Sequence, residues 1–194
     1  MVFQNVPRVR RCAFWTVVFS FLAYGYRFFS AGFGGDAALV SLSGQAAYQA
    51  SLGRFLQPVY WLIRGSLVVP SVVGLFTTVF LFLTCWLIAN LFGLNQTRDI
   101  ALLSGLLVTH ETLVVSGATY LPWMDVYALS LFFAVLGAYL LMSGGRRAWL
   151  SPVFFFLSLG LYQSYLPCAA ALMILALARQ TLDGKRPGHV FARG

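Results

Sequence analysis

Long runs of apolar residues, separated by short polar or basic stretches, dominate the sequence. A helix needs roughly 20 apolar residues to cross the hydrocarbon core of a bilayer, so each run of about that length predicts a membrane-spanning helix. Four runs are clear, and they are Cys12 to Ala31, Pro70 to Phe92, Ile100 to Thr119 and Val126 to Met142. The pattern therefore predicts an all-α, polytopic transmembrane helix bundle.

A fifth apolar stretch, from Trp149 to Ala178, is interrupted by the polar segment Tyr162 to Pro167. A polar break that faces lipid is costly, because no water is present to satisfy the freed backbone groups. We therefore predict two short helices that meet at a turn. They bring the expected number of membrane segments to about six.

Basic residues set the orientation of these segments, because short loops rich in Lys and Arg stay in the cytoplasm. They lie before the first run, in two later turns and in the C-terminal tail: Arg8, Arg10, Arg11, Arg98, Arg146, Arg147, Arg179, Lys185, Arg186 and Arg193. Six spans place all of them in the cytoplasm, whereas five spans would export the tail. We predict a multi-pass protein with both termini in the cytoplasm.

The first outer segment, Gly32 to Leu67, is too long and too patterned for a simple connection. Asp36 is an N-cap residue type, and apolar residues follow it near helical spacing until Gly53. A second short piece opens near Pro58 and ends at Gly65. Two amphipathic helices that lie along the membrane surface fit this pattern.

The composition agrees with a membrane protein and excludes most soluble classes. Hydrophobic residues make up 60% of the 194 residues and charged residues 9%, against roughly a quarter charged in soluble domains. A formal net charge of +8 on such an apolar chain indicates contact with anionic lipid head groups. The sequence has no aromatic and basic motif of a nucleic-acid reader. We expect membrane lipids, and no nucleic acid, as partners.

The sequence contains no internal repeat or low-complexity stretch, so we predict one transmembrane domain over residues 1–194. Its abrupt polar end leaves open that the chain is the front part of a longer protein. The three cysteines are widely spaced within apolar runs, where thiols commonly behave as small hydrophobic groups. They support neither a disulfide framework nor a zinc site.

Two carboxylates are candidates for catalysis on the outer side. Asp36 begins the first surface helix, where it could act as a general base, hold a metal ion or simply cap the helix. Asp125 stands at the outer mouth of the fourth span, where a helix N-terminus also favours a negative charge. The functional and the capping interpretations remain open for both residues. The predicted topology allows the two carboxylates to converge.

Glu111 lies inside the third predicted span. Ionisable groups in that position are costly and usually face a bundle interior or a wet cavity, which makes Glu111 a candidate intramembrane polar site. The structural alternatives are a hydrogen bond to another helix or an ion pair with Arg27. The neighbouring His110 points about 100° away around a helix, so the two residues do not predict a metal site.

Five further polar residues on the outer side are candidates for substrate binding. Arg54 and Arg64 flank the second surface helix, against the positive-inside tendency, and Gln57 lies between them. Bidentate binding of a phosphate would explain the two arginines, and contact with lipid head groups is the alternative. Tyr162 and Gln163 lie at the polar break, as either a structural hydrogen-bond cluster or a sugar-binding rim.

An ordered set of short motifs resembles a known family. In chain order these are Tyr24-Gly25-Tyr26-Arg27-Phe28, Asp36, Gly53-Arg54-Phe55, Pro58, Asp125 and Leu161-Tyr162-Gln163-Ser164-Tyr165-Leu166-Pro167. This order is similar to that of the serotype-converting O-antigen glucosyltransferases, and it covers nearly the whole chain.

The resemblance implies a GT-C type membrane glycosyltransferase. Such an enzyme moves a hexose, here glucose, from a polyprenyl-phosphate carrier to a cell-surface glycan such as O-antigen. The transfer takes place on the outer side of the bacterial cytoplasmic (inner) membrane. The resemblance also implies roles for individual residues. Asp36 would be the acidic residue at the acceptor and Arg54 the phosphate partner, with Asp125 and Gln163 lining the cleft.

We therefore predict an inverting transfer, in which Asp36 accepts the proton of the acceptor hydroxyl and Arg54 stabilises the departing phosphate. A divalent metal is left open as a cofactor, and no metal ligands are assigned. The alternative is a non-enzymatic carrier or flippase subunit for lipid-linked sugars, with Glu111 and the broken final hairpin as a polar pathway. An inactive relic that still folds is a third alternative.

Overall fold

The computed structural model describes residues 6–30, 42–65 and 69–184, with the backbone alone for residues 42–44. Within these ranges the chain forms nine α-helices. They are α1 (Val6–Phe29), α2 (Leu42–Ser51), α3 (Leu56–Arg64), α4 (Pro70–Leu91), α5 (Thr97–Val108), α6 (Glu111–Thr119), α7 (Met124–Ser143), α8 (Ser151–Leu161) and α9 (Leu166–Leu182). The described ranges contain no strand, so the predicted all-α fold is confirmed.

Four helical segments are long and apolar enough to cross a bilayer: Val6–Phe29, Pro70–Leu91, Leu121–Ser143 and Gln163–Leu182. Helices α5 and α6 meet the same criteria only as a pair, and they are bent by 48° at a short break. The described residues thus hold four or five spans by length and composition. The predicted count of about six membrane segments includes α8, which has 11 residues and by its length covers only about half of the hydrocarbon core. The exact number of membrane segments stays a prediction.

Helix α7 forms the core of the bundle. Most of its residues are buried, including Ala128, Ala134 and Ala138, which are 0% exposed. Small side chains on this helix allow its neighbours to approach closely, as is common between helices in membranes. Helices α4, α8 and α9 pack against it and have apolar side chains on their outer faces.

Helices α1 and α4 are antiparallel neighbours. Near the start of α1, Arg8 donates a hydrogen bond to Asn90 at the end of α4. Near the end of α1, the ring of Phe28 lies against Gly74, so closely that a Cβ atom on this glycine would be 2.4 Å from the ring. Only a residue without a side chain permits this crossing.

Serine hydroxyls set the position of α8 along α7. Ser158 Oγ donates to the carbonyl of Ser130 at 2.9 Å, and Ser151 Oγ donates to the carbonyl of Gly137 at 2.7 Å. Residue numbers rise along α7 while they fall along α8, so the two helices are antiparallel. The end of α8 therefore lies near the start of α7. The predicted pair of short helices joined by a turn is confirmed, with a 3-10 turn at Gln163–Tyr165 between α8 and α9.

The start of α1, the α4–α5 turn and the end of α9 meet at one end of the bundle. Arg8 donates hydrogen bonds to Asn90 and Asn95, and Arg179 donates to the carbonyl of Phe92. The first and last described helices thus have their chain ends on the same side, as the predicted topology requires. That this side faces the cytoplasm stays a prediction. We call it the basic end.

Helix α3 has an exposed apolar face, and its buried side carries the polar Gln57 as well as Trp61. Leu62 and Ile63 are 78% and 80% exposed, and Val59 is also exposed, whereas Gln57 and Trp61 are buried. A surface helix in water shows the opposite arrangement, with its apolar stripe directed at the core. The exposed face of α3 is therefore suited to the lipid interface.

The two predicted surface helices are recovered to different extents. The helix expected from Pro58 to Gly65 is present as α3, two residues earlier at its start. Of the helix expected from Asp36 to Gly53, the described part is α2, and Asp36 lies outside the described residues. The third predicted span, Ile100 to Thr119, is wrong in one respect, because the helix breaks between α5 and α6.

Candidate functional site

A cavity of about 840 Å³ lies at the end of the bundle opposite the basic end. Its volume is within the range of small-molecule binding sites. Helices α2 and α6 form two of its walls, and the start of α7 and the α8–α9 turn complete it. The lining residues are Gln45, Tyr48, Gln49, Leu52, Arg54, Glu111, Thr112, Val115, Ser116, Tyr120, Trp123, Tyr127 and Tyr162. We call this cavity the cleft.

Helix α2 directs one face into the cleft. The cleft is lined by Gln45, Tyr48 and Gln49 of this helix and by Leu52 just after it. Steps of three or four residues separate Gln45, Tyr48 or Gln49, and Leu52, which is the spacing of one side of a helix. Gln49 is buried, and its amide oxygen accepts a hydrogen bond from Arg54 Nη1 at 3.3 Å. The polar face of α2 therefore holds the arginine that follows the helix.

Arg54 is the one cationic side chain among the residues that line the cleft in the described part of the chain. Its guanidinium carbon lies 4.8 Å from the centroid of the Tyr162 ring, a cation–π contact. Gln49 engages one guanidinium nitrogen. The guanidinium has five N–H donors in a fixed plane, so donors remain for the oxygen atoms of an anionic ligand.

Gln163 joins the α2–α3 turn to the α8–α9 turn. Its Nε2 donates to the carbonyl of Leu52 at 3.1 Å. Gly53 makes this approach possible, because a Cβ atom there would lie 2.3 Å from Gln163 Nε2. The φ angle of Gly53 is +80°, in the region that favours glycine. Of the two roles that the sequence leaves open for Gln163, the structure shows the structural hydrogen bond, and Gln163 does not line the cleft.

Gln57 makes a second connection between the same two parts of the protein. It is fully buried, and its Nε2 donates to the carbonyl of Leu161 at 2.7 Å. The sequence predicts Gln57 as a substrate-binding residue, but the structure places it outside the cleft lining. The bonds of Gln57 and Gln163 flank Tyr162 on both sides. They hold this ring beneath Arg54.

Arg64 and Asp125 form a buried ion pair. Arg64 Nη1 lies 2.7 Å from each oxygen of the Asp125 carboxylate, and the two side chains are 1% and 0% exposed. The same carboxylate accepts hydrogen bonds from the Tyr60 hydroxyl at 2.8 Å and from the backbone N–H of Val126 at 2.9 Å. Burial, together with the Asp125 charge, raises the pKa of Tyr60, so its hydroxyl remains a neutral donor.

This ion pair involves two residues that the sequence assigns to one cleft. The sequence predicts Asp125 as a catalytic residue and Arg64 as a substrate-binding residue, and neither residue is among those that line the cavity in the described part of the chain. The Asp125 carboxylate is 0% exposed and is held by Arg64, Tyr60 and the backbone N–H of Val126. The pair fastens α3 to the start of α7.

The break between α5 and α6 has a dedicated set of hydrogen bonds. Tyr24 OH donates to the carbonyl of Val108 at 2.6 Å. His110 Nδ1 lies 2.8 Å from a backbone carbonyl one turn earlier, and His110 Nε2 lies 3.0 Å from Tyr165 OH. With the proton on Nδ1, Nε2 accepts the hydrogen bond of the tyrosine. Polar groups freed by a break in a span need such partners.

Glu111 follows this break directly, as the first residue of α6, and it is exposed in the cleft. It is the only carboxylate that lines the cleft in the described part of the chain. Asp99 lies at the start of α5, Asp125 is enclosed with Arg64, and Asp183 lies 4.0 Å from Arg179 at the basic end. Among the described residues the Glu111 carboxylate has neither a hydrogen bond nor the ion pair with Arg27 that the sequence allows.

Asp36 lies outside the described residues, so its place in the cleft stays a prediction. The described chain resumes at α2, which lines the cleft over most of its length. Within the described ranges no group of three His, Cys, Asp or Glu side chains lies close enough to hold a metal ion. For a divalent metal in the cleft, the described residues offer Glu111 as a single carboxylate ligand.

Comparison with known families decides what kind of protein carries this cleft. The family described as Glucosyl transferase GtrII matches residues 36–193. The chain belongs to the GtrII glucosyl transferase family. The match contains α2 to α9, and therefore every described wall of the cleft. It confirms the family resemblance seen in the motifs. No curated protein and no solved structure matches the chain.

Reasoning from the sequence missed the aromatic lining of the cleft in this GtrII family member. Tyr48, Tyr120, Trp123 and Tyr127 all line it, together with Tyr162. Tyr120, Trp123 and Tyr127 lie just before or at the start of the fourth predicted span. Aromatic residues are common at the membrane–water interface of any membrane protein, so their position alone does not single them out.

Proposed function

We propose that the chain is a glucosyltransferase that moves glucose from a polyprenyl-phosphate carrier to a cell-surface glycan such as O-antigen. The reaction takes place in the cleft, on the outer face of the bacterial cytoplasmic membrane. Family membership supports glucosyl transfer. The observation that carries the proposal is the contact of Arg54 with Tyr162, because it fixes a cation beside an aromatic surface in a cavity of suitable size.

Arg54 binds the phosphate of the donor. A planar guanidinium matches two phosphate oxygens at once, and Gln49 and Tyr162 already restrict its position. Less side-chain entropy is then lost on binding. As the bond to the sugar breaks, negative charge grows on the phosphate oxygens. A fixed cation stabilises that charge more in the transition state than in the donor.

The aromatic side chains bind the sugar ring. The face of an aromatic ring carries partial negative charge, which attracts the weakly positive C–H groups of a pyranose. Tyr127 and Tyr162 are in contact, with their ring centroids 4.4 Å apart, and they form a joint surface next to Arg54. Glucose attached to a phosphate on Arg54 would lie against this surface.

Asp36 is the proposed catalytic base. The acceptor hydroxyl oxygen forms a bond to the anomeric carbon, and the bond from that carbon to the phosphate oxygen breaks. Polyprenyl phosphate leaves with the electron pair, and Asp36 accepts the hydroxyl proton. Attack from the side opposite the leaving group inverts the anomeric configuration. The position of Asp36 a few residues before α2 supports this role, since α2 lines the cleft.

The lipid part of the donor remains in the bilayer. The exposed apolar face of α3, with Leu62 and Ile63, lies next to the cleft walls and is compatible with a polyprenyl chain there. Orientation follows from the charges. The basic end carries Arg8, Arg11 and Arg179, and basic ends of membrane proteins face the cytoplasm. The cleft then faces outward.

Transfer of radiolabelled glucose tests the proposal. The full chain is reconstituted in vesicles with polyprenyl-phosphate-glucose, and an O-antigen polysaccharide is added on the cleft side. We expect labelled glycan of inverted configuration. Asp36→Asn should lower the rate by roughly two to four decades, the usual contribution of a general base. Asp183→Asn removes a carboxylate at the basic end and should leave the rate unchanged. Absence of transfer by the unaltered chain would contradict the proposal.

A further inference from the structure

We infer that Glu111 recognises the hydroxyl groups of the donor glucose and so determines which sugar the cleft accepts. The inference rests on the proposed function and adds a specificity residue to it. It begins from the charges in the cleft. Arg54 brings a cation from the α2–α3 turn, and Glu111 brings a carboxylate from the start of α6. The two charges come from different walls of one cavity.

The chain around Glu111 is built to place this carboxylate in the cleft. A continuous helix is the default for an apolar segment of this length, because it satisfies its own backbone groups. Here the helix bends by 48°, and Tyr24, His110 and Tyr165 satisfy the polar groups at the bend. Both ring nitrogens of His110 are engaged in that network. Glu111, the next residue, has no partner among the described residues.

A carboxylate is the natural partner for sugar hydroxyls. Its two oxygens accept hydrogen bonds from adjacent hydroxyl groups, and bonds to a charged acceptor are stronger than neutral ones. With the donor phosphate on Arg54 and the ring against Tyr162, the hydroxyls far from the anomeric carbon extend away from Arg54. Glu111, from a different helix, lines the same cavity, whose volume of about 840 Å³ accommodates a hexosyl phosphate.

A role in helix stability alone is the competing explanation. A negative charge in the first turn of a helix is favourable whatever else it does. Asp99 also lies in the first turn of its helix, as the third residue of α5, at the basic end. Asp99→Asn is therefore a matched control, because it removes the same charge from the same part of a helix outside the cleft.

Binding of two lipids separates the explanations. The purified full chain in lipid nanodiscs is titrated with polyprenyl phosphate and with polyprenyl-phosphate-glucose, and tryptophan fluorescence reports binding. We expect the unaltered chain to prefer the glucosylated lipid. Glu111→Gln should weaken binding of the glucosylated lipid about tenfold, as for loss of one charged hydrogen-bond acceptor, and leave binding of the bare phosphate unchanged. Asp99→Asn should change neither affinity, and Glu111→Asp should retain part of the preference.

Three results would overturn the inference while leaving the proposed function intact. One is an undiminished preference for the glucosylated lipid in Glu111→Gln. Another is an equal loss of affinity for both lipids, which would indicate a general effect of the charge on the fold. The third is equal affinity of the unaltered chain for the two lipids. If the unaltered chain binds neither lipid, the proposed function fails together with the inference.

Discussion

The guanidinium of Arg54 lies over the ring of Tyr162, with 4.8 Å between the guanidinium carbon and the ring centroid. The contact joins the end of α2 to the turn between α8 and α9. Two glutamine side chains hold these segments together at the same place, through the carbonyls of Leu52 and Leu161. The cleft therefore has a cation that is fixed before any ligand arrives.

The first prediction concerns the charge and shape of Arg54. Arg54→Ala should lower kcat/KM for polyprenyl-phosphate-glucose by about a hundredfold, the loss expected for hydrogen bonds to a charged phosphate. The kcat/KM of Arg54→Lys should fall between those of the unaltered chain and Arg54→Ala, because lysine keeps the charge and loses the planar fork. Steady-state transfer at varied donor concentration measures both. Arg98→Ala removes an exposed arginine at the start of α5 and serves as control. Normal transfer by Arg54→Ala would rule out the phosphate role.

The second prediction concerns the ion pair of Arg64 and Asp125. Asp125→Leu or Arg64→Met alone should destabilise the protein by about 3–5 kcal/mol, because each leaves one buried charge without its partner. The double variant should regain most of this stability, since an apolar pair avoids the desolvation cost. Denaturation in detergent micelles gives the free energies of unfolding. The double variant should also retain glucosyl transfer. A folded but inactive double variant would instead favour catalysis by Asp125.

The third prediction separates a clash from backbone strain. Gly53→Ala places a Cβ atom 2.3 Å from Gln163 Nε2, so it should displace this side chain and break its bond to Leu52. Gly93→Ala introduces alanine at φ +60° with nothing within 4 Å, and it carries the strain alone. We expect Gly53→Ala to be less stable than Gly93→Ala by about 1 kcal/mol. The KM of Gly53→Ala for the donor should also rise, while the KM of Gly93→Ala stays unchanged. Equal effects of the two variants would contradict a role for the hydrogen bond between Gln163 and Leu52.

The helices of the bundle were predictable because the thickness of a bilayer fixes the length of an apolar helix. The run from Pro70 to Phe92 predicts α4 to within a residue. The polar break after Leu161 predicts the α8–α9 turn for an equally direct reason, since a lipid-exposed break is costly. The break before Glu111 could not be predicted in the same way. Its polar groups are satisfied by Tyr24 and Tyr165, which are remote in sequence, so the local pattern does not reveal these partners.

The site was predictable in part. Arg54, Tyr162 and Glu111 stand out in the sequence because polar or charged residues are unusual at their positions in an apolar chain, and all three line the cleft. Arg64 and Asp125 stand out for the same reason, but they pair with each other. The pattern along a chain reveals that a charge needs a partner. It does not reveal whether that partner is another residue or a ligand.

The fourth prediction concerns the orientation of the bundle. In a Cys168→Ser background, Ala50→Cys at the cleft end should react with a membrane-impermeant maleimide in intact cells. Gln96→Cys at the basic end should react only after the membrane is permeabilised, because basic ends face the cytoplasm. Both positions are exposed in the structure. The reverse labelling pattern would put the cleft in the cytoplasm and would contradict an outward-facing site.

The most direct test of the central claim is to locate the donor on the protein. Polyprenyl-phosphate-glucose with a photoreactive group on the sugar is bound to the full chain in vesicles and irradiated, and mass spectrometry identifies the labelled peptides. We predict labels on the walls of the cleft, in α2, at the start of α6 and around Tyr162, and competition by unmodified donor. A second cavity of about 250 Å³ at the basic end, lined by Asn90 and Arg179 among others, provides an internal reference. Labels concentrated there, with none in the cleft, would contradict the account.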